Sequence, residues 1–290
     1  MALSGSQDIF EFINMKYEIY SGAGNDFVMI DNWNNKIPFE KQSEFTVKIC
    51  NENFKDIDGV IFADKPLKEG SIRMNYYNHD GSFGAMCGNG ARCIAMFAYK
   101  NNIIPKKEFI IEAVDDFYTA SIIDDINVKI DFPEPKEISL NISLKFDLNG
   151  ELDEMNVHYV NVGSDHIVIF IDDLKTPLDN IDINGIGRTI RFHEKFQPRG
   201  ANVSFVQILS ENEIRVRTYE RGVERETLAC GTGIIASAIV AGLTKNTKPP
   251  VKVLSQSGEW LIVNFKNEDS KIKNLSLLGS AKKIGEGEIK

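Results

Sequence analysis

The sequence predicts an α/β (α+β) protein of two pseudo-symmetric domains, each a curved, mainly antiparallel sheet or barrel around one central buried helix. Three observations carry this. First, the chain repeats itself. Cys87-Gly88-Asn89-Gly90 recurs as Cys230-Gly231-Thr232-Gly233, 143 residues further on. The segment Gly22 to Asp31 also lines up with Gly163 to Asp172, at an offset of 141. Two matches in the same order at nearly one offset point to two halves of like fold. Second, most apolar runs are short, rich in β-branched and aromatic residues and bounded by turn residues, as strands are. Third, each Cys-Gly-x-Gly motif opens a run that reads as a helix. The second run is apolar on nearly every side and must be enclosed by protein.

In order, strands are expected at Lys16 to Tyr20, Val28 to Asp31, Gly59 to Ala63, Ile72 to Tyr77, Phe109 to Val114, Tyr118 to Ile123 and Val128 to Phe132, with a helix over Ala91 to Lys100. The second half repeats the theme. Its strands are expected at Val157 to Val162, Ile167 to Ile171, Val203 to Leu209, Ile214 to Tyr219, Val251 to Leu254 and Trp260 to Phe265, and its helix over Gly233 to Leu243. The expected domains are 15–134, carrying Cys87, and 150–281, carrying Cys230. Pro133-Glu134-Pro135 to about Gly150 reads as the linker, the polar stretch from Lys282 as loose, and residues 1–14 as a mobile extension ahead of Met15.

Composition narrows the function. With 42% hydrophobic and 26% charged residues, the 290-residue chain is ordinary for a globular protein. A net charge of −9 argues against nucleic acid as a partner. The longest apolar stretch, Ile234 to Leu243, is about half the ~20 residues needed to cross a bilayer, so no membrane association is expected. The first residues lack the basic start of a secretory signal. Four cysteines are too few for a disulfide scaffold, so free thiols in a reducing cytoplasm are expected.

A cysteine ahead of a Gly-x-Gly helix start has direct chemical consequences. The helix N-terminus carries partial positive charge and unpaired N–H groups. It is therefore expected to lower the thiol pKa and to cradle a carboxylate. If the halves face each other, both thiols flank one ligand. One thiolate then removes a proton from the carbon beside the carboxylate and the opposite thiol returns one to the other face. Cys50 and Cys93 lie in apolar helical contexts and read as core. No zinc spacing is present. Gly22-Ala23-Gly24 is not a dinucleotide fingerprint, because Phe27 stands where the third glycine belongs. No metal and no cofactor are expected.

The chain resembles the diaminopimelate epimerase family of pyridoxal-phosphate-independent amino-acid racemases, from about Met15 to about Gly279. The motifs are Gly24-Asn25-Asp26-Phe27-Val28, Asn78-His79-Asp80-Gly81-Ser82 and Met86-Cys87-Gly88-Asn89-Gly90-Ala91-Arg92-Cys93. Those of the second half are Gly200-Ala201-Asn202-Val203, Tyr219-Glu220-Arg221-Gly222 and Glu226 to Gly233. The resemblance implies that Cys87 and Cys230 are the acid/base pair, assisted by His166 and Glu220. It places Asn25 near the reacting amino group and assigns the reacting carboxylate to Gly88-Asn89 and Gly231-Thr232. Asn78, Asn202 and Arg221, with Ser164 and Glu220, complete the substrate contacts. The substrate implied is LL-diaminopimelate, going to the meso form, and the assembly a homodimer. Histidine or lanthionine as substrate is the second reading. A non-catalytic amino-acid binder or a thiol redox sensor is the third.

Four departures from the family pattern bear on the substrate. Gly163-Ser164-Asp165-His166 replaces Gly-Asn-Pro-His, and Pro198-Arg199-Gly200 replaces Pro-Glu-Gly. Phe54 to Gly59 replaces a Gly-x-Gly-Ala-Asp loop, and Glu224-Arg225 stands where one glycine is usual. Asp165 is expected to bring negative charge near a site meant for a carboxylate.

Overall fold

The computed structural model describes residues 14–289 apart from 69, 115, 149–150, 175 and 270. The expectation for residues 1–14 therefore lies, save for Asn14, outside the described residues. β1 (Met15–Gly22) and β2 (Asn25–Asp31) form a hairpin in which Gly22 pairs with Asn25. The two residues between them, Ala23 and Gly24, have φ of +54° and +87°. Positive φ at both central residues is the turn whose twist suits a two-residue hairpin. α1 (Phe39–Asn53), β3 (Gly59–Asp64) and β4 (Ile72–Asn78) follow, then α2 (Gly88–Lys100), β5 (Glu108–Ala113), β6 (Asp116–Ile122) and β7 (Asn127–Asp131). β2 with β3 and β4 with β5 run parallel, and the other neighbours in this half are antiparallel.

The second half contains β8 (Glu137–Leu148), β9 (Glu151–Asn161), β10 (Asp165–Phe170), α3 (Ile171–Leu174) and α4 (Ile183–Arg191). It continues with β11 (Asn202–Ile208), β12 (Glu213–Glu220), β13 (Arg225–Thr227), α5 (Gly231–Thr244), β14 (Val251–Leu254), β15 (Trp260–Glu268), β16 (Lys271–Ser280) and β17 (Lys282–Ile289). The pattern of pairing repeats: β10 with β11 and β12 with β14 are parallel, as β2 with β3 and β4 with β5 are. β7 and β16 pair antiparallel and join the two curved sheets into one. The ladder runs from β17 at one edge to β8 at the other without closing, so each half is an open curved sheet rather than a sealed barrel. Each wraps its own helix. α2 is buried from Gly88 through Ala98, and α5 from Gly231 through Ala241.

Two expectations fail here. The segment read as a linker carries β8, which pairs with β9 and edges the second sheet. The segment read as loose is β17, which pairs with β1 from Met15–Ile289 to Ser21–Lys282 and so completes the first half with the last residues of the chain. Both are edge strands. With one face wet and few residues to bury, their sequences lack the apolar run that marks inner strands. α1 and α4 also escape the sequence reading. α1 buries Gln42 and Thr46 beside Phe45, Ile49 and Cys50, which blurs its apolar stripe. α4 contains Gly185 and Gly187, residues that read as turn; a Cβ on Gly187 would lie 2.5 Å from Tyr219 Cβ. Among the described residues no helix is long and apolar enough to cross a membrane.

Ending the chain at Ala281 should uncover the β1 edge. At roughly 1 kcal/mol per lost ladder hydrogen bond, this should cost several kcal/mol. Urea unfolding should show the loss, and hydrogen exchange should quicken in Met15–Gly22 more than in β10.

Candidate active site

Cys87 and Cys230 are the N-caps of α2 and α5, both with extended backbone (φ −107°, ψ 111° and φ −103°, ψ 107°). The two helix starts touch. A Cβ placed on Gly231 would lie 3.2 Å from Gly88 Cα, tighter than an ordinary contact, so glycine there eases the approach of the two backbones. Asn89 ties the halves together. Its Nδ2 donates to Ala229 O (3.0 Å) and to Asn25 Oδ1 (2.6 Å). Both cysteines, Gly88, Gly231 and Thr232 line one cleft of about 370 Å³ between the halves, large enough for a small amino acid. N–H groups in the first turn of a helix have no intrahelical acceptor and are available to an anion there. Asn89 itself is buried behind the wall and contributes its backbone and its bracing side chain rather than a cleft surface.

The expected lowering of the thiol pKa is overturned. Burial pushes Cys87 up to about 11, with the Glu220 carboxylate adding to the rise and the N–H groups of Gly90 and Asn89 opposing it. Cys230 rises further, again from burial first and Glu220 next. Desolvation of a thiolate outweighs one helix terminus. Glu220, at the end of β12, is itself raised by burial, while Thr227 Oγ1 donates to its Oε2 at 2.9 Å. A single acid thus stands within electrostatic reach of both thiols.

His166 does not reach the cleft wall. It is fully buried behind Thr232, with Nε2 2.9 Å from both Thr232 Oγ1 and Ser164 Oγ, and Thr232 Oγ1 lies 3.6 Å from Cys230 Sγ. The imidazole touches Cys230 only through that hydroxyl. Burial and the nearby Arg221 lower its pKa to about 3, so it is neutral.

Asn25, Asn78, Ser164, Asn202 and Arg221 line the same cleft. Tyr76 Oη donates to Asn78 Oδ1 (2.8 Å), and Asn78 Nδ2 donates to Ser82 Oγ (2.9 Å). Asn202 is used up locally: its Nδ2 donates to Asp165 O and its Oδ1 accepts the Arg221 N–H at 2.8 Å. The sequence reading did not assign Asp58, Tyr76 and Arg225 to the site, yet all three line the cleft. Asp58 Oδ2 accepts the Asp26 N–H at 2.8 Å, which pins the loop carrying Asn25. Its position beside a motif residue becomes visible only when β2 and β3 pair in parallel.

The diaminopimelate epimerase family model matches residues 17–133 and 158–284, two segments that begin 141 residues apart. The chain belongs to the diaminopimelate epimerase family. It is 38% identical to the diaminopimelate epimerase of Hydrogenobaculum sp. over 279 residues, which span 93% of this chain and 96% of that one. To that of Aquifex aeolicus it is 39% identical over 290 residues, spanning 95% and 98%. Among solved structures, a PhzF-family phenazine biosynthesis protein of Bacillus anthracis superposes with a TM-score of 0.69 at 12% identity, covering 96% of this chain and all of that one. A hydroxyproline epimerase of Agrobacterium vitis does so at 0.66 and 13% identity, covering 95% and 91%. These two share the fold.

The departures from the family pattern now have a structural account. Asp165 does not face the cleft. It is buried and accepts from Tyr159 Oη (2.6 Å), Asn161 Nδ2 (3.1 Å), Arg199 Nη2 (3.2 Å) and Arg221 Nη1 (3.1 Å). The expected repulsion of a carboxylate is therefore absent. Two guanidiniums surround one carboxylate, and the group keeps net positive charge. Asp165 and Arg199, two of the departures, are partners of each other. The extra residue before Cys230 is absorbed at Glu224, which takes φ +57° and is held by Arg191 Nη2 (3.2 Å) and the Gly222 N–H (2.9 Å).

His166 sets a pH dependence of stability. Its pKa falls from 6.5 to about 3 on folding, so between those values the unfolded chain binds a proton that the folded chain refuses. Stability is fully present above pH 6.5 and declines as pH falls towards 3. Between pH 7.5 and 5 this group should account for about 2 kcal/mol. Urea unfolding of His166→Gln at both pH values should show a slope shallower by that amount.

Proposed function

We propose that this chain epimerises diaminopimelate, interconverting the LL and meso forms by two-base proton transfer between Cys87 and Cys230. The reading rests on one observation above all: two cysteines, one from each half, cap two abutting helices and line one cleft. The substrate's reacting carboxylate lies against the N–H groups of both helix starts. One sulfur, as thiolate, takes the α-proton. The electron pair left by the broken C–H bond moves into the carboxylate as enolate charge, which the helix N–H groups stabilise. The S–H of the other cysteine then supplies a proton to the opposite face. The thiolate has changed sides, nothing is oxidised or reduced, and the reverse reaction uses the same groups in exchanged roles.

The raised thiol pKa values require the substrate to help form the thiolate. Glu220 destabilises it on either sulfur, and the substrate's α-ammonium placed between them offsets that charge. Neutral His166 holds Thr232, and Thr232 holds Cys230. Arg221, with the positive group around Asp165, receives the distal carboxylate beside Asn78 and Asn202, since a guanidinium fork suits a carboxylate. Two working thiols also call for a reducing compartment, which favours the cytoplasm.

Proton NMR in D₂O tests the reading. The α-proton signal of LL-diaminopimelate should disappear on addition of reduced enzyme, and Cys87→Ala should abolish the loss. Faster loss from L-histidine or L-lanthionine would move the assignment to another amino acid. Retained signal for all three would defeat the two-base reading.

Glu220→Gln separates the electrostatic role of this side chain from general damage. Alkylation of Cys87 by iodoacetamide at pH 8 should speed up because a neighbouring negative charge is gone. Slower alkylation would contradict the charge argument.

A further inference from the structure

Among the described residues Arg92 is the largest fully buried side chain, and the hydrogen bonds it makes there go to two carbonyls and an amide oxygen. Its Nε donates to Ser280 O (3.1 Å), Nη1 to Gly88 O (3.2 Å) and Nη2 to Asn89 Oδ1 (2.9 Å). The guanidinium lies against Gly279, where a Cβ would approach Nε to 3.1 Å. A buried cation with only neutral partners is costly unless an anion lies nearby. The groups near it that can become anionic are thiols, Cys93 and Cys87. The carbonyl that Nη1 holds belongs to the Gly88–Asn89 peptide, whose N–H favours the Cys87 thiolate and which adjoins the Gly90 N–H that donates to the sulfur at 3.4 Å. Drawing electrons from the carbonyl end strengthens the N–H end as a donor.

The internal repeat provides the control. The residue at the Arg92 position in the second half is Ile235, fully buried and apolar, and the Asn89 position is Thr232. Behind the helix start at Cys230 the repeat position of Arg92 is therefore filled by an apolar side chain. Glu220 disfavours the thiolate on both sulfurs; at Cys230 the Cys87 sulfur adds to the rise and the Thr232 hydroxyl, 3.6 Å away, opposes it. Tyr76 faces Cys87 from β4, and burial holds its phenol protonated. Cys93 and, at longer range, Glu259 face Arg92; Glu259 is engaged by Ser280 Oγ and by Lys282 Nζ at 3.3 Å.

We propose that Arg92 is a positioning residue that makes the thiol pair asymmetric, by polarising the peptide that caps Cys87, so that the first proton to leave the pair leaves Cys87. This rests on the two-thiol reading but not on the identity of the substrate. The ligand-free enzyme that has lost one proton carries thiolate at Cys87 and thiol at Cys230. It is ready for the stereoisomer that presents its α-proton to Cys87.

The test uses ligand-free enzyme with cysteine labelled at ¹³Cβ, titrated from pH 7 to 11, together with iodoacetamide alkylation at pH 9 read by peptide mass spectrometry. In the unmodified sequence the Cys87 resonance should begin to shift at lower pH than Cys230. In Arg92→Met, alkylation of Cys87 should slow about tenfold while that of Cys230 changes less than twofold. Arg92→Lys, which keeps the charge but loses the fork, should fall between them. Should Arg92→Met fail to fold, the titration order and Arg92→Lys still decide. Cys230 titrating first, or a folded Arg92→Met or Arg92→Lys with unchanged Cys87 reactivity, would overturn the proposal. Either result is read without substrate, so it stands apart from any failure to turn over diaminopimelate.

Discussion

The contact between Gly88 and Gly231 is the constraint on which the rest of the molecule depends. A Cβ on Gly231 would press on Gly88 at 3.2 Å, so glycine there suits so close an approach of two helix starts. With the starts this close, two sets of first-turn N–H groups converge, and both capping cysteines line the one cleft. Partial positive charges facing one another repel, so the arrangement needs bracing and a ligand of opposite sign. Asn89 supplies bracing from α2 to Ala229 and Asn25. The continuous sheet through β7 and β16 holds the two helices in register from outside.

Burial and charge compete at the sulfurs. The helix termini favour thiolate, while enclosure in protein and the shared Glu220 oppose it, and enclosure is the larger effect. The same enclosure strengthens every dipole aimed at the reacting carbon, because little water remains to screen it. A site with protonated thiols at rest is also less open to oxidation than one with permanent thiolates.

At Asp165 charge is organised differently. Asp165 is surrounded by two guanidiniums, a phenol and an amide, and it orients Arg221 while Arg199 closes the group from outside. Asp165 and Arg199 each break the family pattern, and their pairing leaves net positive charge beside the cleft. A distal carboxylate remains the complementary partner.

Much of this was legible in the sequence. The repeat of Cys87-Gly88-Asn89-Gly90 as Cys230-Gly231-Thr232-Gly233 announced two like halves. The all-round apolar character of Ile234 to Leu243 announced a central helix. Most inner strands could be read because β-branched runs between turns are a local signal, but β16, which joins the two halves, was not among those expected. What stayed hidden was non-local. β17 looks like a polar tail until β1 offers it an edge, and β8 looks like a linker for the same reason. Asp58 and Arg225 join the site only through strand pairing and a loop crossing. Asp165 looked hostile to an acidic ligand until Arg199 and Arg221 were seen to enclose it. The thiol pKa was misjudged because a motif displays the helix terminus that lowers it but not the burial that raises it. Periodicity and turn chemistry are properties of neighbours along the chain, so the sequence alone determined the elements and the residues at their starts. Edge pairing, desolvation and charge compensation depend on groups far apart in the chain, and only the tertiary structure decided those.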